Sequence, residues 1–388
     1  MQSFLVLVQL NPLLRTFELA MFMPLDFLLR LLSSLLAIAL LGGGGYLFYA
    51  WYTGVLLANG WLILSLAMLL WSFLGFLPIL LLHRPGKDEP KPNRSKRVHR
   101  LARPDGSDIQ VEFYGPDNAP TLILTHGWGP DSTAWYYAKQ QLTNQFRVIV
   151  WDLPGLGKSK KPQNRDYSLE KYARDLEAVL RLAGDQPVIL VGHSMGAMIL
   201  LTFSRLFPEH LGRRVAGLVL VDGTYTNPLK TTILSKVLLA LQKPLLEPLL
   251  HLAIALSPLL WLSSWLSYFN GLTLLTTEIS GFTGRETRGQ LNFSSLVGIK
   301  ASPGVLARGV LAMFKFDETA TLPKIAVPLL VVVGKSDIAT RPFASDRMVK
   351  AAPQAELVVL SPGGHMALME RNQQFTEVIR AFSCRVKK

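Results

Sequence analysis

Charge is scarce in this sequence. Only 17% of its 388 residues are Asp, Glu, Lys or Arg, against roughly 25% in an ordinary soluble domain. The shortage is uneven, because between Leu31 and Leu82 none of the four occurs. With hydrophobic residues at 49%, the composition excludes a disordered chain and is too apolar for a wholly soluble one. Cysteine is almost absent. Cys384 stands alone, so no internal disulfide can form and the fold must rest on its core. With one cysteine and no H-E-x-x-H, no metal set is expected. Gly155-Leu156-Gly157-Lys158-Ser159 lacks the G-x-x-x-x-G-K-[ST] spacing of a phosphate loop, and no cofactor is expected. The net charge of +13 raises the question of nucleic acid. However, the densest basic cluster, Arg84 to Arg100, directly follows the apolar run, where it reads as a topology signal and not as a phosphate-binding face.

The apolar run is long enough for two membrane-crossing helices, since each needs about 20 residues. They are expected at about 31–50 and 61–82, within an anchor spanning 1–82, with Asn59-Gly60 at the turn. Gly42 to Gly45 weaken the first span. Tyr46, Phe48, Tyr49, Trp51 and Tyr52 sit near the turn, as an interfacial belt would. Arg15 and Arg30 precede the hairpin and the basic cluster follows it, so the positive-inside rule puts both flanks, and the remainder of the chain, in the cytoplasm. Residues 1–30 are expected as an interfacial helix or part of a third span. A cleaved signal peptide is not expected, because the apolar stretch is too long and begins too late. Residues 83–104, with Pro85, Gly86, Pro90 and Pro92, read as a basic linker that also holds His83 and His99.

From about residue 105, short β-rich runs alternate with helical stretches, the mark of an α/β fold with a mostly parallel sheet. The runs are Ile109–Tyr114, Thr121–Thr125, Arg147–Trp151, Pro187–Val191, Ala216–Val221, Pro328–Val333 and Glu356–Leu360. A helix is expected after Ser168, a natural N-cap with Glu170 in the first turn, ending at Gly184. One gap breaks the rhythm. The segment 223–316 is rich in Leu, Ser, Pro and Trp, and Pro248 to Thr277 carries no Asp, Glu, Lys or Arg. One crossing there would leave neighbouring strands on opposite sides of a bilayer. The segment therefore reads as a helical cap inserted between 105–222 and 317–388, with Leu249–Leu256 and Leu259–Leu266 expected to wall a greasy pocket or touch the bilayer.

The chemistry centres on Gly192-His193-Ser194-Met195-Gly196, a G-x-S-x-G string between the strand Val188–Val191 and the helical pattern Ala197–Leu206. In that setting the serine sits on a sharp turn with its hydroxyl exposed, and the helix N-terminus adds positive potential. Here the chain resembles the α/β-hydrolase superfamily, in its esterase/lipase-like branch with a cap, over about residues 105–383. His126-Gly127-Trp128-Gly129 is similar to the family's oxyanion loop. Asp152-Leu153-Pro154-Gly155-Leu156-Gly157-Lys158-Ser159 is similar to its D-x-P-G-x-G-x-S turn. Gly334-Lys335-Ser336-Asp337 resembles the loop of the triad acid, and Gly363-Gly364-His365 that of the triad histidine. Ala197 stands where many relatives carry a third glycine. The resemblance implies Ser194 as nucleophile, His365 as base and Asp337 as acid, with the backbone N–H groups of Trp128 and Met195 as oxyanion donors. Gly127, Gly192 and Gly196 support the motifs, and Asp222, which also ends a strand, is the alternative acid. His126 and His193 are expected to bond the backbone around their turns.

The expected activity is cleavage of a lipophilic carboxylic ester through an acyl-enzyme. A serine at the elbow speaks against the aspartate-dependent dehalogenases and epoxide hydrolases. Acyl transfer by the same triad, and a non-catalytic scaffold on this fold, stay open as alternatives. The expected partners are a lipophilic small molecule or lipid and the membrane, with no nucleic acid. Oligomeric state is not readable.

Overall fold

The computed structural model describes residues 24–232 and 234–386, with the backbone alone for 24–31, 33 and 34. The expectation for the first thirty residues therefore lies, up to residue 23, outside the described residues.

Three helices open the described chain: α1 (Pro24–Tyr52), α2 (Asn59–Leu74) and α3 (Phe76–Leu82). The four glycines do not interrupt α1. Gly43 and Gly44 form part of the surface against which α2 packs: a Cβ at Gly43 would lie 3.1 Å from the Met68 side chain and one at Gly44 3.1 Å from the Leu69 side chain, and Ser65 Oγ donates to the Gly44 carbonyl at 2.8 Å. Small residues let two apolar helices approach closely, and this packing offsets their weak helix propensity. The second expected span, 61–82, is not one straight helix. It bends by 63° between α2 and α3. The break falls at Gly75, which sits against the Asn270 carbonyl, leaving no room there for a side chain.

Among the described residues, one sheet of eight strands runs in the order β1-β2-β4-β3-β5-β6-β7-β8. The strands are β1 (Val98–Ala102), β2 (Asp108–Tyr114), β3 (Thr121–Thr125), β4 (Arg147–Trp151), β5 (Val188–His193), β6 (Val215–Val221), β7 (Leu329–Gly334) and β8 (Ala355–Leu360). Strands β3 to β8 are parallel, and β1 and β2 pair antiparallel at one edge. The inner strands β3, β5 and β7 are buried along their whole length, as expected of strands covered on both faces. Helices α4 (Tyr136–Leu142), α5 (Leu169–Arg181), α6 (Met195–Leu206), α13 (Pro342–Ala351) and α14 (Asn372–Val386) flank the sheet. Ser168 caps α5 by accepting from the Lys171 N–H at 3.2 Å.

Strand β1 corrects the reading of 83–104 as a free linker. Val98–Ala102 pairs with β2 in register Val98↔Glu112 to Ala102↔Asp108. Upstream of it, Arg94 reaches three carboxylates: Glu112 at 2.6 Å, Asp131 at 2.9 Å and Asp152 at 3.0 Å. Arg97 pairs with Asp117 and Arg100 with Asp108. Part of the basic cluster is thus bound into the wall of the sheet domain, where Glu112 and Asp152 are fully buried and need a cation. Lys87, Lys91 and Lys96 remain as flank charge.

Between β6 and β7 lie α7 (Ser235–Leu241), α8 (Glu247–Ala255), α9 (Ser257–Phe269), α10 (Leu272–Gly281), α11 (Arg288–Lys300) and α12 (Pro303–Met313). Helix α9 packs along α1 and α2, and Phe76 of α3 stacks on Tyr268 at 5.4 Å.

Candidate active site

Parallel strands end on one edge of the sheet, and loops leaving that edge gather residues far apart in sequence. Ser194 follows β5, Asp337 follows β7 and His365 follows β8. Ser194 sits at φ 53°, ψ −117°, a strained conformation for a residue with a side chain. The strain is held from both sides. A Cβ at Gly192 would run into the Gly196 backbone, and one at Gly196 would run into the Thr125 carbonyl. Ala197, the departure from the family pattern, is fully buried in a site that takes its methyl.

The three side chains form one row. His365 Nε2 lies 3.0 Å from Ser194 Oγ, and His365 Nδ1 lies 2.9 Å from Asp337 Oδ2. A carboxylate only accepts, so Nδ1 carries the proton and Nε2 presents its lone pair to the serine hydroxyl. Asp337 is held in turn by the N–H groups of Ala339 (2.8 Å) and Thr340 (3.0 Å) and by the Thr340 hydroxyl (2.8 Å). Burial alone would raise its pKa. His365 and the Thr340 hydrogen bonds outweigh burial and keep the carboxyl below the usual range.

Asp222 stands beside this row without joining it. Its Oδ1 accepts from the Gly334 N–H at 2.8 Å, and its carboxyl group lies close enough to Asp337 to interact with it. Burial, with the Asp337 charge adding to it, pushes Asp222 well above the ordinary carboxylate range. The two acids are thereby driven apart, Asp222 upward and Asp337 downward.

The remaining histidines of the motifs bond backbone. His126 Nδ1 meets the Gly127 carbonyl at 2.7 Å, and its Nε2 accepts from the Leu153 N–H at 3.0 Å. His193 Nε2 lies 2.9 Å from the His365 carbonyl, bracing the loop that carries His365. Burial, with His365 adding to it, pushes His193 down to about 3, so it stays neutral. Met195 is the first residue of α6, where a backbone N–H has no acceptor within the helix. Trp128 borders the cavity above Ser194, and its indole N–H donates to the Leu306 carbonyl of α12 at 2.9 Å. No motif signalled this tie between the loop and the cap. Its one trace in the sequence is Gly309, where a Cβ would overlap the indole ring.

The cavity over Ser194 and His365 measures about 160 Å³. Phe293 and Val297 of α11, Leu306, Val310 and Met313 of α12, and Met366 and Met369 form its apolar wall. Leu249–Leu256 and Leu259–Leu266, expected as pocket walls, do not line it. Leu250, Ala253 and Leu260 pack into the core, while others turn outward: Leu252 is 52% exposed, Leu259 55% and Leu262 58%. Charge-free sequence revealed apolar helices here, but not which face of each would look inward.

A parallel sheet with a strained serine elbow and a hydrogen-bonded acid and imidazole at its carboxyl edge places the protein in the class of α/β hydrolases. Residues 120–372, well over half the chain, match the family described as alpha/beta hydrolase fold, and the chain belongs to that family. It is 28% identical over 268 residues to a putative carbamate hydrolase, RutD, of Pseudomonas syringae pv. syringae, covering 68% of this chain and 94% of that one. Among solved structures, it is similar to a thermophilic esterase from Thermogutta terrifontis, with TM-score 0.58, 23% identity and coverage of 75% and 100% of the two chains. It is also similar to a membrane phospholipase A described as a bacterial virulence factor, with TM-score 0.58, 22% identity and coverage of 75% and 86%.

Proposed function

We propose that the protein is a membrane-anchored serine hydrolase that cleaves a lipophilic carboxylic ester through an acyl-enzyme. The observation that carries this reading is the row Ser194–His365–Asp337 under an apolar roof. A serine hydroxyl is a weak nucleophile near neutral pH. His365 takes its proton as Oγ attacks the ester carbonyl, and Asp337 stabilises the imidazolium that forms. The oxyanion accepts from the N–H groups of Met195 and Trp128, and each such donor is worth about 3–4 kcal/mol in the transition state. His365 then protonates the leaving alcohol. Water, activated by the same imidazole, releases the acid.

The anchor is the hairpin of α1 with α2 and α3, together with outward apolar side chains on α8 and α9. Leu35–Tyr52 is long and apolar enough to cross a bilayer, as is Ser235–Ala255, which in this reading lies along the interface because β6 and β7 are neighbours in one sheet. Residual flank charge at Lys87, Lys91 and Lys96 supports the cytoplasmic side. A cavity of about 150 Å³ holds a benzene-sized guest, so a pocket of about 160 Å³ with an open side fits a short to medium acyl chain.

The test uses full-length protein in detergent. Ser194→Ala should abolish fluorophosphonate labelling and hydrolysis of p-nitrophenyl butyrate and hexanoate while the unfolding profile stays unchanged. Undiminished turnover by that variant would sink the proposal.

A further inference from the structure

Where the chain leaves the hairpin, three side chains from separate elements converge. His83 directly follows α3, Glu278 lies in α10, and Glu286 lies in the loop before α11. Their potential ligand atoms all fall within 4.8 Å of one another. His83 Nε2 stands 3.5 Å from Glu278 Oε2 and 3.5 Å from Glu286 Oε1. The other ring nitrogen, Nδ1, is 2.9 Å from the Ile79 carbonyl. A carbonyl only accepts, so Nδ1 is the donor, and in the neutral ring Nε2 aims a lone pair at both carboxylates.

Glu286 distinguishes this cluster from an ordinary surface ion pair. Its side chain is 0% exposed, and neither of its oxygens has a hydrogen-bond partner among the described residues. A buried carboxylate left in that state is costly. An imidazolium would relieve it with a charged hydrogen bond of about 2.7–2.9 Å, which the 3.5 Å to each carboxylate exceeds. A shared ion accounts for both distances. Ligand atoms held tetrahedrally about 2.0–2.1 Å from a metal lie about 3.3–3.4 Å from each other, close to the observed separations.

The surroundings hold these groups in place without using them. Arg288 Nε donates to the Leu80 carbonyl at 2.8 Å, and the Arg288 N–H donates to the Arg84 carbonyl at 2.9 Å. The hairpin exit and the 285–288 loop are thus already bound to each other.

We infer that His83, Glu278 and Glu286 form a site for a divalent transition-metal ion of the zinc type, with the fourth position left to water. One imidazole nitrogen with two carboxylates favours such an ion over calcium or magnesium, which take oxygen ligands. The ion would strap the hairpin exit to the cap. The brace also reaches toward the triad loop, because the Met366 N–H donates to the Gly281 carbonyl at 2.8 Å, and Glu370 accepts from the Gly364 N–H at 3.2 Å. The role is structural and separate from the serine chemistry. Sequence spacing gave no hint of it, since His83 read as part of a linker.

The experiment strips the full-length protein with EDTA, equilibrates it with zinc chloride in detergent, and measures bound zinc and thermal unfolding. The wild type should retain about one zinc per chain and unfold several degrees higher with zinc than without. Glu286→Gln, nearly isosteric, and His83→Ala should each bind zinc at least about tenfold more weakly and lose the zinc-dependent rise. His251→Ala, an exposed cap histidine, should behave as wild type. A wild type that retains no zinc overturns the inference, as do Glu286→Gln and His83→Ala proteins that retain it as well as wild type.

Discussion

Replacing Asp337 with Asn separates the two candidate acids. The amide still accepts from the Ala339 and Thr340 N–H groups, so the loop should keep its shape. What changes is the group facing His365 Nδ1 at 2.9 Å. An amide NH2 there donates, which moves the imidazole proton to Nε2 and removes the base from Ser194. In a hydrolase triad this error of tautomer costs about 10⁴-fold in kcat, or about 5.5 kcal/mol of transition-state stabilisation. Asp222→Asn imitates the protonated form that burial and Asp337 favour. It keeps an oxygen for the Gly334 N–H and should cost less than about tenfold. Initial rates on p-nitrophenyl butyrate for both variants, with unfolding curves as a fold control, decide the matter. Equal losses in the two, or a larger loss in Asp222→Asn, would refute the assignment of Asp337 as the acid and the charge division argued for the pair.

Two further outcomes follow from packing and burial. Gly309→Ala places a methyl in the space of the Trp128 indole, so it should displace the oxyanion loop and lower kcat by about tenfold or more; wild-type kcat in the Gly309→Ala enzyme would show that Trp128 does not depend on that contact. Lys139 is buried against the Asn93 carbonyl, and burial pushes its pKa from 10.5 down to about 8. Between those values the unfolded chain binds the proton and the folded protein does not, so stability rises with pH there. Relative to Lys139→Met, the wild type should gain on the order of 2 kcal/mol of unfolding free energy from pH 7 to pH 10, measured by denaturant titration; parallel profiles would show that the ammonium is not destabilised.

The parts legible in sequence were those written in local pattern. Seven strands, the Ser168-capped helix and the motif loops at 126–129, 152–159, 192–196, 334–337 and 363–365 each carry their signal within a few residues. Strand β1 was missed because Val98–Ala102 lies at an edge with four of its five side chains exposed, so neither alternation nor an apolar run marks it. Both Asp222 and Asp337 end strands, so position alone left the choice between them to the resemblance of Gly334-Lys335-Ser336-Asp337 to the family loop; in the structure it is Asp337 that lies within hydrogen-bond distance of His365. The cap showed itself as apolar, yet its inward face belongs to α11 and α12, whose apolar residues are interleaved with Ser, Gly and Asn and read as less greasy than α8 and α9. The bend at Gly75 depends on the Asn270 backbone, which a helix propensity does not contain.

The indole hydrogen bond from Trp128 to Leu306 couples the roof to the loop that follows β3. A lid free of the loop could lift to admit an ester while the site beneath stayed ready. Here α12 is tied to the segment that, in the proposed mechanism, receives the developing negative charge, so any shift of the roof would be felt there.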